Sequence, residues 1–325
     1  MAVAYLGAVQ TLYVEASGTP TVADAIEAYD VKLSYDLTVL ERLNVAKRSL
    51  GPMQHAIGPR RGSISFKTPI RVTGTPGSAP EKEADLFGAV GFAQTYVTVY
   101  DADTLYRIGD GSATTDPNLL SCVIWFYVDG LLQKLTGCMG NLRINLPAGE
   151  LGWYEWEFKG TLGGAVTAPG IDINGEDAFS TNAHQPCAGA TYGIGSYDTT
   201  LTPVRSTVID LGNVVGYRAA HTDVLNGGTG LAYITDRKPT IEIQLEEPAL
   251  GTKDFWGLVL IDNPVALTGA GDVEVYVGQG ANLVTIFRAQ AQWNSIEPVD
   301  NDGVRDLMLR GSLVEANGEL DDQLK

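Results

Sequence analysis

The chain has 325 residues, 44% of them hydrophobic and 19% charged, with 38 glycines and no collagen-like glycine period; at roughly 150 residues per domain this is a globular chain of about two domains. Asp and Glu outnumber Lys and Arg by 39 to 22, a net charge of −17, so adhesion to a phosphate backbone is electrostatically unfavourable and a DNA-gripping groove is not expected. Cys122, Cys138 and Cys187 have no C-x-x-C spacing, which points away from a disulfide framework or zinc site and towards reduced thiols in a cytosol. The apolar start lacks a basic leader, and no apolar run approaches ~18 residues, so neither an export signal nor a membrane anchor is expected.

Along the chain, apolar and polar residues alternate at period two, as in Ile64-Ser65-Phe66-Lys67, the pattern of half-buried antiparallel strands. A helix over 80–90 follows: Pro80 suits its first turn, Glu81 and Glu83 favour its N-terminal dipole, Gly91 ends it, and Ala84, Phe87 and Val90 form its apolar face. Cys122–Val128 and Leu131–Leu135 flank Asp129-Gly130, a dipeptide that accepts the positive φ angles of a hairpin turn. On the next strand Tyr154, Trp156 and Phe158 share one face, Glu155, Glu157 and Lys159 the other, and Gly160 follows. The stretch 163–200, rich in Gly, Ala, Thr and Asp, reads as an extended linker or long loop.

The second half repeats this order. Thr240–Leu245 alternates like Ser63–Thr68, Thr252 can cap a short helix carrying Phe255, Trp256, Leu258 and Val259, strands follow near Val273–Val277 and Leu283–Ala289, and Leu307–Leu313 parallels Trp156–Leu162 with Gly311 at the place of Gly160. Pairing Ile64 with Ile241 and Gly160 with Gly311 indicates a duplicated domain whose copies differ in loop length, residues 1–165 and 166–325. The fold class expected is mainly β (α+β): two tandem antiparallel β-sandwich or barrel domains, each with a short flanking helix.

Catalytic chemistry is poorly supplied. His55, His184 and His221 stand in loop-like contexts, and neither a G-x-S-x-G elbow nor a phosphate-loop motif occurs. His184 and Cys187 make only two possible metal ligands. The acidic runs 172–177 and 300–303 lack the spacing of a calcium loop and suit turns, and Glu155 and Glu157 on one strand face have no partner across a cleft. Neither an enzyme nor a cofactor or metal site is expected. The segment 31–71 is different: eight basic residues stand against only Asp36 and Glu41. Within it Arg42 to Arg61, with Gly51-Pro52 and Gly58-Pro59, reads as a hairpin arm that can dock on an acidic surface of another copy, or as a solvated loop.

Several stretches, in this order and spacing, resemble the tail tube proteins of long-tailed bacteriophages: Gly58–Phe66; the helix ending Leu86–Phe92; Ser121–Lys134; Gly137–Leu142 continuing through Pro147–Glu150 to Trp156–Gly160; and, in the second half, Val208–Val215 and Ile234–Pro239. The resemblance implies sheets joined edge to edge into a ring, a trimeric pseudo-sixfold ring or a hexamer, with rings stacked as a hollow virion tail tube assembled in the host cytoplasm. It further implies tape measure and tail terminator proteins as partners, genomic DNA passing an acidic bore without tight binding, and an arm that touches the adjoining ring, through Lys47, Arg48, Arg60 and Arg61. The competing expectation is a monomeric carbohydrate-binding or adhesive β-module using some of Trp125, Trp153, Trp156, Trp256 and Trp293 as a stacking platform.

Overall fold

The computed structural model describes residues 10–15, 20–21, 24–40, 55–71, 83–96, 104–108, 121–128, 131–167, 187, 191–194, 197–198, 203–218, 230–252, 254–260, 272–277, 284–314 and 323–324. The first half contains β1 (Gln10–Glu15), β2 (Ala25–Ile26), β3 (Tyr29–Leu40), β4 (Ala56–Pro69), α1 (Ala84–Ala89), β5 (Phe92–Tyr96), β6 (Thr104–Ile108), β7 (Cys122–Val128), β8 (Leu131–Pro147) and β9 (Trp153–Thr167). The second contains β10 (Thr191–Ile194), β11 (Tyr197–Asp198), β12 (Val204–Asp210), β13 (Asn213–Tyr217), β14 (Ala232–Arg237), β15 (Thr240–Glu246), α2 (Phe255–Leu260), β16 (Asp272–Val277), β17 (Val284–Asn301), β18 (Val304–Val314) and β19 (Gln323–Leu324).

The protein is mainly β. Among the described residues seventeen strands form one antiparallel sheet, and β13 and β14 form a two-stranded sheet of their own. The ladders run β2–β1–β7–β8–β9–β4–β3 through the first half and β11–β10–β16–β17–β18–β15–β12 through the second. Taken in chain order, each strand of the first series has a counterpart in the second, and β13–β14 stand between β12 and β15, the counterparts of β3 and β4. Gly160 and Gly311 occupy the same rung, opposite Gly62 and Ile241 respectively. Both positions exclude a Cβ: one on Gly160 would lie 2.7 Å from the Cys138 Sγ, and one on Gly311 2.8 Å from the Gln292 carbonyl oxygen. From that rung Ile64 corresponds to Ile243 rather than Ile241, a two-residue correction that keeps the same face.

The two series meet where β8, whose N-terminal part pairs with β7, pairs through Arg143–Pro147 with β12. Alternation then sets two apolar rows on one face: Phe66, Trp156 and Leu142, which ends at β8, and Tyr154, Ile144, Ile209 and Ile241, which crosses the joint. Buried members of both halves form one core cluster. Its two helices cover this face, Phe87 of α1 standing edge-on to Trp156 at 5.3 Å and to Tyr154 at 5.5 Å, while Phe255 and Val259 of α2 are buried. A smaller cluster of Tyr13, Ala25, Trp125, Tyr127 and Leu132 lies beside β7; strand β7 therefore has buried residues of both parities, which accounts for its unbroken apolar run.

Several local expectations are modified. Strand β8 extends far past Leu135, pairing with β9 through Asn145 and, from Arg143 to Pro147, with β12 as well. The helix of the first half is Ala84–Ala89; residues 80–82 and the Asp129-Gly130 turn lie outside the described residues. Asp254, not Thr252, caps α2, accepting the Gly257 N–H at 2.8 Å. The proposed linker is partly structured: β9 runs to Thr167, and β10 pairs with β16. Asp300–Gly303 is a turn, with Asp302 and Gly303 at φ 50° and 83° and the Gly303 N–H held by the Asp300 carboxylate at 2.9 Å.

Candidate functional site

The joint between the halves is the most heavily built polar region of the sheet. At its end Asp210 takes hydrogen bonds from the Asn141 side-chain amide and the Gly212 N–H, both 2.8 Å. The Asn141 carbonyl oxygen accepts from the Asn213 N–H at 2.9 Å. In turn the Asn213 amide donates to the carbonyl oxygens of Val90, at 2.8 Å, and Gly140, at 3.0 Å. The ladder continues one residue further through the Leu211 N–H to the Leu142 carbonyl, 3.0 Å. A side-chain amide can donate and accept at once, so two asparagines tie β8, the end of α1 and the start of β13 together.

From there the β13–β14 hairpin lies back over the first half. The Tyr217 hydroxyl is 3.3 Å from the carbonyl oxygens of Gly62 and Gly160, and Leu231 sits against Gly137. Burial raises the Tyr217 pKa, and Arg61 opposes the shift. On the polar face, the fully buried Asp306 carboxylate takes bonds from Gln244, 3.0 Å, and Asn301, 3.1 Å, with Arg205 at 3.6 Å, joining β12, β15, β17 and β18. One row across the joint alternates in charge, Lys67, Glu155, Arg143 and Asp210, with Lys67 and Glu155 paired at 3.2 Å.

The four basic residues expected to mediate assembly are not equivalent. Lys47 and Arg48 lie outside the described residues. Arg60 is exposed on β4, while the Arg61 guanidinium stacks on the Tyr217 ring, 4.6 Å from its centroid, a cation–π contact that ties β4 to β13. Beside them β3 is an exposed outer strand with a run of large apolar residues in solvent: Tyr35, Leu37, Val39 and Leu40.

The other sequence candidates take structural places. Trp125, Trp156 and Trp293 are buried; Trp153 meets Tyr29 edge-on at 5.1 Å, and the Trp256 N–H is held by Glu247 at 3.0 Å, so the five indoles do not present an open sugar-stacking face. Glu155 is engaged by Lys67. Burial pushes the Cys187 thiol up to about 11, and a hydrogen bond shared with Cys138, which favours the protonated Cys122 thiol, raises the pKa of Cys122 together with burial well above its ordinary value; neither is a poised nucleophile. His184 and residues 172–177 lie outside the described residues. Among the described residues no group of three His, Cys, Asp or Glu side chains is placed to hold a metal ion, and no helix is long and apolar enough to cross a membrane.

Sequence reasoning gave no role of their own to Asn141, Asp210 and Asn213, although they lie in the stretches Gly137–Leu142 and Val208–Val215 that carry the resemblance. It also missed the fold-back of β13–β14, a long-range contact with no local signature. Comparison with protein-family models and with curated proteins finds no match to this sequence.

Proposed function

We propose that this chain is a tail tube protein of a long-tailed bacteriophage: two tail-tube-like β units in tandem, residues 1–165 and 166–325, that self-assemble into stacked rings enclosing a conduit for the genome. The observation that carries it is the repeated ladder order together with the antiparallel β8–β12 joint, by which the sheet of one unit passes into that of the next over a single core. A chain that already joins two like sheets edge to edge needs only to repeat that joint between copies, and rotation then closes a ring. Three chains supply six units, a pseudo-sixfold ring.

The net charge of −17 supports a bore to which phosphates do not adhere, repulsion acting over about 8 Å at physiological salt. On the polar face Lys67, Arg205 and Arg310 each stand beside carboxylates, which lessens their pull on passing DNA. The basic arm, through Lys47, Arg48 and Arg60, reaches the acidic surface of the adjoining ring, while Arg61 also stacks on Tyr217. Tape measure and tail terminator proteins are the remaining partners, and the place of action is the virion tail after assembly in the host cytoplasm. Neither a catalytic step nor a cofactor or membrane anchor enters this role.

Electron microscopy of the purified full chain tests it: rings or tubes are expected, and monodisperse single particles at high concentration overturn the proposal. Replacing Lys47, Arg48, Arg60 and Arg61 together by Ala is expected to shorten tubes while rings persist; unchanged tube length and yield remove the arm from the contact between rings.

A further inference from the structure

The joint inside the chain is a template whose two surfaces recur, uncovered among the described residues, on β3 at the end of the first series and on the C-terminal stretch of β17, beyond its pairing with β16. From the Gly160 and Gly311 rung, β12 corresponds to β3 and β8 to β17, so that Asp210 matches Asp36, Ile209 matches Tyr35 and Leu211 matches Leu37. Arg143, Ile144 and Asn145 match Val299, Asp300 and Asn301. At the internal joint Ile209 and Leu211 are 0% exposed, whereas Tyr35 and Leu37 are 44% and 51% exposed. On the facing strand Leu142 and Ile144 are buried, while their counterparts Pro298 and Asp300 are exposed. The helix ends differ in the same sense: Val90, after α1, is 0% exposed and its carbonyl oxygen takes the Asn213 amide, but Leu260 at the end of α2 is 68% exposed. One set of positions is covered by the other half of the same chain; the corresponding set is open.

We infer that a second copy of this chain closes the open set, its β3 adding antiparallel along the Glu297–Asn301 stretch of β17 in the register of the internal joint. Asp36 of one copy then faces Val299 of the next, Tyr35 faces Asp300 and Ser34 faces Asn301, as Asp210, Ile209 and Val208 face Arg143, Ile144 and Asn145. This deepens the self-assembly proposed above and rests on it. Several details fit. Pro298, at the place of Leu142, keeps the carbonyl that at the internal joint takes the Leu211 N–H, and its missing N–H stands at an edge position where proline is tolerated. The base of the arm, which corresponds to the β13–β14 hairpin, lies over the neighbour's β17–β18 and the end of its α2, covering Leu260. Because the two edges differ, the contact is head to tail: one end of each chain is used by the copy before it and the other by the copy after. A β3 edge meeting another β3 edge would instead stop at a dimer.

Directly opposed residues of an antiparallel pair are close enough for a disulfide, and the three native cysteines are buried. Full-length Asp36→Cys and Val299→Cys proteins are therefore mixed, oxidised at assembly concentration and resolved without reductant, with each protein alone alongside and an Asn145→Cys/Val208→Cys chain as the intramolecular standard. A disulfide-linked dimer in the mixture, at least tenfold above either protein alone, is expected, and the double Asp36→Cys/Val299→Cys chain should give a ladder of linked species. Adding Tyr35→Asp, which sets a second carboxylate opposite Asp300, should abolish the link while far-ultraviolet circular dichroism stays unchanged. Asp36→Cys linking to itself at the level of the mixture overturns the head-to-tail register, as does an absence of links while rings or tubes are seen by microscopy. If the cysteine variants give no links and the unmodified chain gives no higher-order species, self-assembly itself fails.

Discussion

The two halves of the sheet carry the same ladder with different side chains. In the first, Phe66, Trp156 and Phe158 stack in succession, ring centroids 5.9–6.5 Å apart, with Phe87 capping them from α1. The rungs that match them in the second half hold Leu245, Leu307 and Leu309, all buried, with Phe255 and Val259 above. An aromatic core and an aliphatic core thus support one strand order. What is common is the period-two pattern and the small residue at Gly160 and Gly311, where neighbouring backbone and side chains leave no room; particular large side chains are interchangeable as long as the layer is filled.

The comparison breaks first at its largest members. Trp156→Ala removes the biggest fully buried side chain and leaves the Thr68 hydroxyl without the indole N–H it accepts at 2.9 Å; a loss of about 3–5 kcal/mol is expected. Leu307→Ala on the matching rung should cost about 2–4 kcal/mol, less because less volume is vacated. Buried residues of both halves form one cluster, so urea unfolding of either variant should remain a single transition by tryptophan fluorescence and circular dichroism. Two separated transitions, with only one moved, would mean that the halves unfold as independent cores.

The joint supplies a smaller effect. Asp210→Ala deprives the Asn141 amide and the Gly212 N–H of their acceptor and should cost on the order of 1–3 kcal/mol. Its positional counterpart Asp36 is exposed, and Asp36→Ala in the unassembled chain should change stability by under about 0.5 kcal/mol. Equal losses at the two positions would dissolve the distinction between a covered and an open edge.

Much of this plan was legible because it is local. Ile64-Ser65-Phe66-Lys67 and Thr240–Leu245 announce half-buried strands through alternation alone, and β7 and β15 begin where expected. The repeat was legible in element order, but its register was off by two residues, since alternation leaves a shift of two with the same faces in and out. The pairing of Arg143–Pro147 of β8 with β12 and the docking of β13–β14 on Gly62 and Gly160 were not legible: each depends on a partner from the other half. The Arg61 contact with Tyr217 is of the same kind. A basic residue in an arm reads from sequence as a free charge, and only the fold-back of the distant β13–β14 hairpin turns it into a stacked one.

The smallest expected difference concerns the polar face. Arg310 bridges Glu242 and Glu297 at 2.7 and 2.8 Å, and these carboxylates raise its pKa. On the matching rung of the first half Lys159 lies between Ser63 and Met139, with no carboxylate directly opposite on either neighbouring strand. All three members of the Arg310 group are more than a third exposed, so solvent and salt weaken the attraction and the bridge should be worth no more than about 1 kcal/mol. Arg310→Met is therefore expected to lower the urea midpoint slightly in dilute buffer and to lose that effect in ~1 M salt, where the screening length falls to about 3 Å. Lys159→Met should leave the midpoint within error under both conditions. A larger, salt-insensitive loss at Arg310 would place its contribution in the packing of its aliphatic stem between β15 and β17 rather than in charge, and the two halves would then differ in how their polar faces pack as well as in how they are charged.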